Sequence, residues 1–181
     1  MFDAILAALF LSIPLLISGS FHMFVVSKDL FKVLAKPIDV EKFGVNKTWR
    51  GVLVMVVVTM PGVAIAQYVE ILSGSVPYVS LQNVNVVWYG VLLGLGYVIP
   101  ELPNSFVKRR IGIKPGEPAT NHTFLFSFID QVDSALGCAI VYFALLSPPW
   151  EVVLWIIILG PLVHLAANLF LYSFGLRKNP I

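Results

Sequence analysis

Long apolar runs alternate with short polar, charged segments along this chain. Five such runs can be drawn, at Ala4–Val26, Gly51–Val69, Val84–Val107, Phe124–Leu146 and Val152–Leu176. Each approaches or exceeds the roughly 20 residues that a helix needs to cross the hydrocarbon core of a bilayer. Pro100, Glu101 and Pro103 interrupt the third. Two prolines so close together cannot both leave a helix ladder intact, so a break is predicted there. Irregular backbone at membrane depth is tolerated only against protein or a water-filled cavity, which predicts that Asn104 and Ser105 face a polar cavity. Gly90 and Gly94 in the same run permit a close approach to another helix. The pattern predicts an all-α integral membrane protein of five transmembrane helices.

Composition agrees. The 181 residues are 58% hydrophobic and only 12% charged, with a mean hydropathy of +0.88. That leaves no room for a second, soluble domain, so residues 1–181 are expected to form one transmembrane unit. The first run carries Asp3 where a cleaved leader would carry basic residues, and it exceeds the usual ~7–15 apolar residues, so it is read as an uncleaved helix. Cys138 stands alone, which excludes a disulfide or a cysteine metal site and leaves it as a small packing residue.

Charge placement orients the chain. Six Lys/Arg lie between Lys28 and Arg50, four between Lys108 and Lys114, and Arg177 and Lys178 end it. The segments Glu70–Asn83 and Ser147–Glu151 contain none. The positive-inside rule therefore predicts a cytoplasmic C-terminus, an outside N-terminus and a polar cavity facing the cytoplasm. A multi-pass cell-membrane protein, with the bilayer and no nucleic acid among its partners, is expected.

The candidate chemistry sits where charge interrupts the runs. Asp130 and Asp133 fall inside an apolar run, three residues apart and so on one helix face. Carboxylates at that depth are costly and usually mark function. Mg²⁺ is typically held by one or two carboxylates plus substrate phosphates, which suits this pair in front of the loop bearing Lys108, Arg109, Arg110 and Lys114. Asn46-Lys47-Thr48-Trp49-Arg50-Gly51 stands at the mouth of the second run. There Lys47 and Arg50 suit phosphate oxygens, and Thr48 suits a hydrogen bond or a helix cap. Ile113–Pro118 has the residues of a type II turn that would present Lys114. A Walker A sequence is absent. His22 and His164 lie in apolar runs and are read as packing residues; His122 lies in the loop. None of the three has metal-ligand spacing to another His or Cys.

Asn46–Gly51, Leu102–Gly116 and Phe128–Gly137 together resemble the CTP-dependent phosphatidate cytidylyltransferases. They are closer to the short archaeal branch, the CDP-archaeol synthases, which activate an unsaturated ether-lipid phosphate. The bacterial enzymes end in a histidine-glycine-glycine and then a D-R-x-D-S pattern. Here Asp130, Asp133 and Ser134 are kept, Gln131 replaces the arginine and the histidine-glycine pair is missing. The resemblance implies that Asp130 and Asp133 bind Mg²⁺ with the phosphates of CTP. It also implies that Asn46, Lys47, Thr48, Asn104 and Ser105 line the CTP site. Arg50, Lys108 and Lys114 are the expected phosphate contacts, Lys114 in a catalytic role, with Arg109 next in line. The implied reaction joins CTP to a polyprenyl glycerol phosphate, 2,3-bis-O-geranylgeranyl-glycerol 1-phosphate, releasing pyrophosphate. Its nucleophile is already ionised near neutrality, so no base is needed. Two alternatives stand beside it: a CTP-dependent polyprenol kinase, and a cation-coupled transporter using the aspartates as an ion site. The acidic signature of the CDP-alcohol phosphatidyltransferases is absent.

Overall fold

Every apolar run is helical in the computed structural model, which describes residues 1–115 and 123–175. The helices are α1 (Phe2–Ser27), α2 (Val40–Phe43), α3 (Trp49–Ser73), α4 (Val86–Val98), α5 (Glu101–Arg110), α6 (Thr123–Leu146) and α7 (Trp150–Ser173). Five spans are long and apolar enough to cross a membrane, α4 and α5 together supplying the third as Val86–Arg110. The predicted break separates these two helices at Ile99 and Pro100. Pro103 falls in the first turn of α5, where its missing N–H has no intrahelical acceptor to lose.

The spanning helices form a closed ring. Each packs against two others, in the order α1, α3, α4, α6, α7 and back to α1. Glycine makes four of these contacts tight, two of them most of all. A β-carbon on Gly90 would lie 2.6 Å from Met60 Cα, and one on Gly94 2.7 Å from Val56 Cα, so α4 meets α3 along a bare glycine edge. A β-carbon on Gly137 would strike the Gly96 carbonyl and the Pro100 ring, so α6 seats against α4 just before the break.

One half of the ring is filled and the other is hollow. Ala7, Leu11, Val63, Ala66, Leu81, Leu93, Tyr142 and Val152 are buried in a continuous core at the end away from the basic loops. The connection after α3 is tied down over that core. Buried Glu70 accepts the Leu81 amide at 2.8 Å, and Gln67 donates to the carbonyls of Leu81 at 2.6 Å and Val84 at 3.0 Å. Tyr142 donates to the Leu11 carbonyl, bolting α6 to α1. Toward the basic end lies a cavity of about 530 Å³, running from Ser12, Leu15 and Gly160 up to Ile38, Lys47 and Thr48. Side chains such as Ile65, Leu72, Ile140 and Ile158 point out of the ring, as a lipid-facing surface requires.

Candidate active site

The mouth of the cavity is framed by two short extended segments. Ile38 donates its N–H to the Lys47 carbonyl at 2.9 Å, and Trp49 donates to the Lys36 carbonyl at 3.0 Å. This pairing holds Asn46, Lys47 and Thr48 across the opening, and all three line the cavity. Thr48 also caps α3, its Oγ1 accepting from the Gly51 amide at 3.3 Å.

Arg50 points elsewhere. Its buried guanidinium donates from Nη1 to Asp29 Oδ1 at 3.1 Å and to the Leu30 carbonyl at 3.0 Å. Asp29 and Phe31 hold φ of 50° and 52°, a left-handed conformation that Asp tolerates and Phe rarely adopts. Arg50 therefore clamps a strained turn after α1, and it is not among the cavity-lining residues. Hydrogen bonds from Lys32, and next from Arg50, hold the Asp29 carboxyl below the ordinary aspartate range.

Behind the mouth, α5 and α6 build a continuous polar relay. Glu101, Asn104 and Lys108 share one face of α5; Asp130, Asp133 and Ser134 share one face of α6. Lys108 is ion-paired with Asp130. The Asn104 amide donates to Asp130 Oδ1 at 2.6 Å and to Asp133 Oδ2 at 2.9 Å. Ser134 Oγ lies 3.3 Å from Asp133 Oδ1 and donates to Glu101 Oε1 at 3.0 Å. Glu101 closes the relay by pairing with Lys47 at the mouth. The two ends differ in exposure. The Asp130 side chain is 45% exposed, whereas Asp133 is 8% exposed and lies deep between the helices.

The two aspartates fit a divalent cation. The Asn104 amide nitrogen touches both carboxylates, so one oxygen of each lies within hydrogen-bond reach of a single point, and Lys108 balances the charge of Asp130. Hard oxygen donors of that kind suit Mg²⁺. Among the described residues no three His, Cys, Asp or Glu side chains group closely enough to hold a metal by themselves. Such an ion would complete its shell with substrate oxygens and water.

The remaining expected residues are dispersed. Asn104 faces the aspartates, and neither it nor Ser105 lines the cavity, which α5 meets only with its first turn, at Glu101 and Leu102. Arg109 turns back against Gly44 and Pro115, its Nε and Nη1 buried without a partner among the described residues. Lys114 is exposed on the segment after α5. The turn at Gly116, and His122, lie outside the described residues. Conversely, the cavity is lined by His22, Tyr97, Glu101, His164 and Asn168. His22 and His164 were expected only to pack. The one signal in the sequence was a polar residue recurring four positions on in an apolar run, as at His164 and Asn168.

Fold and site define a multi-span membrane protein with an acid- and lysine-lined chamber at one end of a helix ring. The chain belongs to the family described as CarS-like, CDP-archaeol synthase, which matches residues 1–181. It is 41% identical to the CDP-archaeol synthase of Thermofilum pendens over 91 residues, which are 49% of this chain and 41% of that protein. The CDP-archaeol synthase of Methanococcoides burtonii is 32% identical over 149 residues, 76% of this chain and 81% of that protein. That of Methanospirillum hungatei is 33% identical over 144 residues, 76% of this chain and 80% of that protein. No solved structure matches the chain.

Proposed function

We propose that the chain transfers the cytidylyl group of CTP to an archaeal ether-lipid phosphate, forming a CDP-archaeol lipid and pyrophosphate. The observation that carries this reading is the carboxylate pair Asp130 and Asp133, bridged by Asn104, in a chain matched by the family from end to end. A phosphate oxygen of the lipid attacks the α-phosphorus of CTP. The bond from that phosphorus to the oxygen bridging the β-phosphate breaks, and pyrophosphate leaves with the electron pair. A phosphate monoester with a second pKa of about 6 is already largely dianionic near neutrality, so the site supplies positioning and charge neutralisation instead of a base. Lys47, Thr48 and Asn46 receive the triphosphate at the mouth. Lys108 and Lys114 neutralise the lipid phosphate and the leaving group. A magnesium ion held by Asp130 and Asp133 would spread the charge that builds on the reacting phosphate oxygens.

The two substrates meet from different sides. A closed helix ring admits a water-soluble nucleotide through its mouth but excludes a two-chain lipid. The lipid phosphate therefore approaches the exposed Asp130 and its partner Lys108, a mostly covered side chain, both of which lie outside the cavity. With all ten described Lys and Arg side chains at the mouth end, the positive-inside rule puts that end in the cytoplasm and the N-terminus outside. The solid packing of the opposite half disfavours the transporter reading, because a transporter needs access from both faces.

The deciding experiment supplies CTP labelled at the α- or the γ-phosphate, together with the lipid phosphate and Mg²⁺. Cytidylyl transfer puts the α label on the lipid. A γ label on an added polyprenol would make the protein a kinase, and no label on lipid would defeat both enzymatic readings.

A further inference from the structure

The cavity has a polar wall on α4 and α7, the two helices that flank α6, that phosphate handling does not use. It is built from Tyr97 at the end of α4 and His164 and Asn168 on α7. His164 and Asn168 are four residues apart, so both face the hollow. The Tyr97 hydroxyl lies 3.3 Å from His164 Nε2, and the two rings meet edge to face at 80°. Asn168 is 2% exposed, and its Nδ2 has no hydrogen-bond partner among the described residues. A buried donor left in that state is costly, so it points to a missing acceptor.

The chemistry of this wall selects the kind of acceptor. Among the described residues that line the cavity, Lys47 is the one Lys or Arg, and it stands at the mouth paired with Glu101. Phosphate belongs there. This wall offers the Tyr97 and His164 rings, aliphatic surface from Val163 and Ala167, and one amide with a donor and an acceptor side by side. These are the features that hold a nucleobase, whose flat face stacks and whose edge is read by hydrogen bonds.

We propose that Asn168, supported by Tyr97 and His164, reads the base of the nucleotide and sets the preference for cytosine over uracil. Its amide donates to the ring acceptor N3 and accepts from the adjacent exocyclic amine. Uracil reverses that donor–acceptor order and would require the packed amide to turn over. The inference rests on the cytidylyltransfer reading for its substrate.

The test compares CTP with UTP in wild-type protein and in Asn168→Ala, by steady-state transfer to the lipid phosphate and by competition binding. The expected result is a fall of about tenfold or more in the CTP-to-UTP ratio of kcat/KM, carried by KM. A variant that transfers cytidylyl with undiminished preference overturns the proposal while leaving the activity assignment intact. If Asn168→Ala does not fold, wild-type protein is challenged with CTP dimethylated at N4, which lacks the donor hydrogens. Competition at least tenfold weaker than that of CTP is expected, and equal competition overturns the assignment. A wild type that binds neither CTP nor UTP defeats the proposal and the activity reading together, whereas binding without transfer defeats the activity reading alone.

Discussion

Asp130 and Asp133 share Asn104 but not an environment, and that difference predicts how their variants will behave. Either Asp→Asn change should lower turnover by about a hundredfold or more, because it removes a ligand from the proposed cation. Asp133→Asn should also disturb folding, since its carboxylate is buried between Asn104 and Ser134. Near-normal turnover of a folded variant would remove the aspartates from the mechanism. Asn104 only orients them, so Asn104→Ala should shift the Mg²⁺ concentration for half-maximal activity upward by about 10- to 100-fold, with maximal rate partly restored at high Mg²⁺. A change in rate with no shift in the metal dependence would contradict that role. Arg50 belongs to a different account. Arg50→Ala should lower the melting temperature in detergent by a few degrees while sparing turnover per folded molecule. Because the Asp29 carboxyl is held below its ordinary range, its pairing with Arg50 persists at mildly acidic pH. That contribution is lost only as pH falls through the depressed value. Turnover that collapses with an unchanged melting temperature would return Arg50 to the phosphates.

At the scale of the helix, the sequence was readable wherever a residue type constrained the backbone. The five apolar runs, the break at Pro100 and the close packing of Gly90 and Gly94 all appear where residue chemistry demanded them. So does the shared face of Asp130 and Asp133. What could not be read was the direction each helix faces. In a bilayer, core and lipid are both apolar, so a run such as α1 or α7 carries little periodicity to separate its inward side from its outward one. That is why His22 and His164 read as packing although both line the cavity, and why the tie from Arg50 to Asp29 and Leu30 was not legible. The glycine edge gives an element-level test. Gly94→Ala puts a β-carbon 2.7 Å from Val56 Cα. Overpacking of this kind costs about 1–3 kcal/mol. Thermal unfolding in detergent should register the loss, and an unchanged midpoint would mean that α3 and α4 are not held this closely.

Taken whole, the molecule has one chemical end. An intact-cell labelling experiment tests which way that end points. With an impermeant thiol reagent outside, Ser75→Cys should react and Lys36→Cys should be shielded, and buried Cys138 should stay silent as background in both. The reverse pattern would invert the topology and remove the nucleotide's access to the mouth. The half-filled ring has an electrical consequence as well. Water entering the chamber stops at a plug of packed side chains around Leu11, Leu93 and Tyr142, sealed by the Glu70 and Gln67 bonds to the following connection. The membrane voltage must then drop across that short apolar plug instead of the full thickness of the bilayer. Its integrity is what allows a hydrated, highly charged reaction to proceed inside an energised membrane without leaking ions across it.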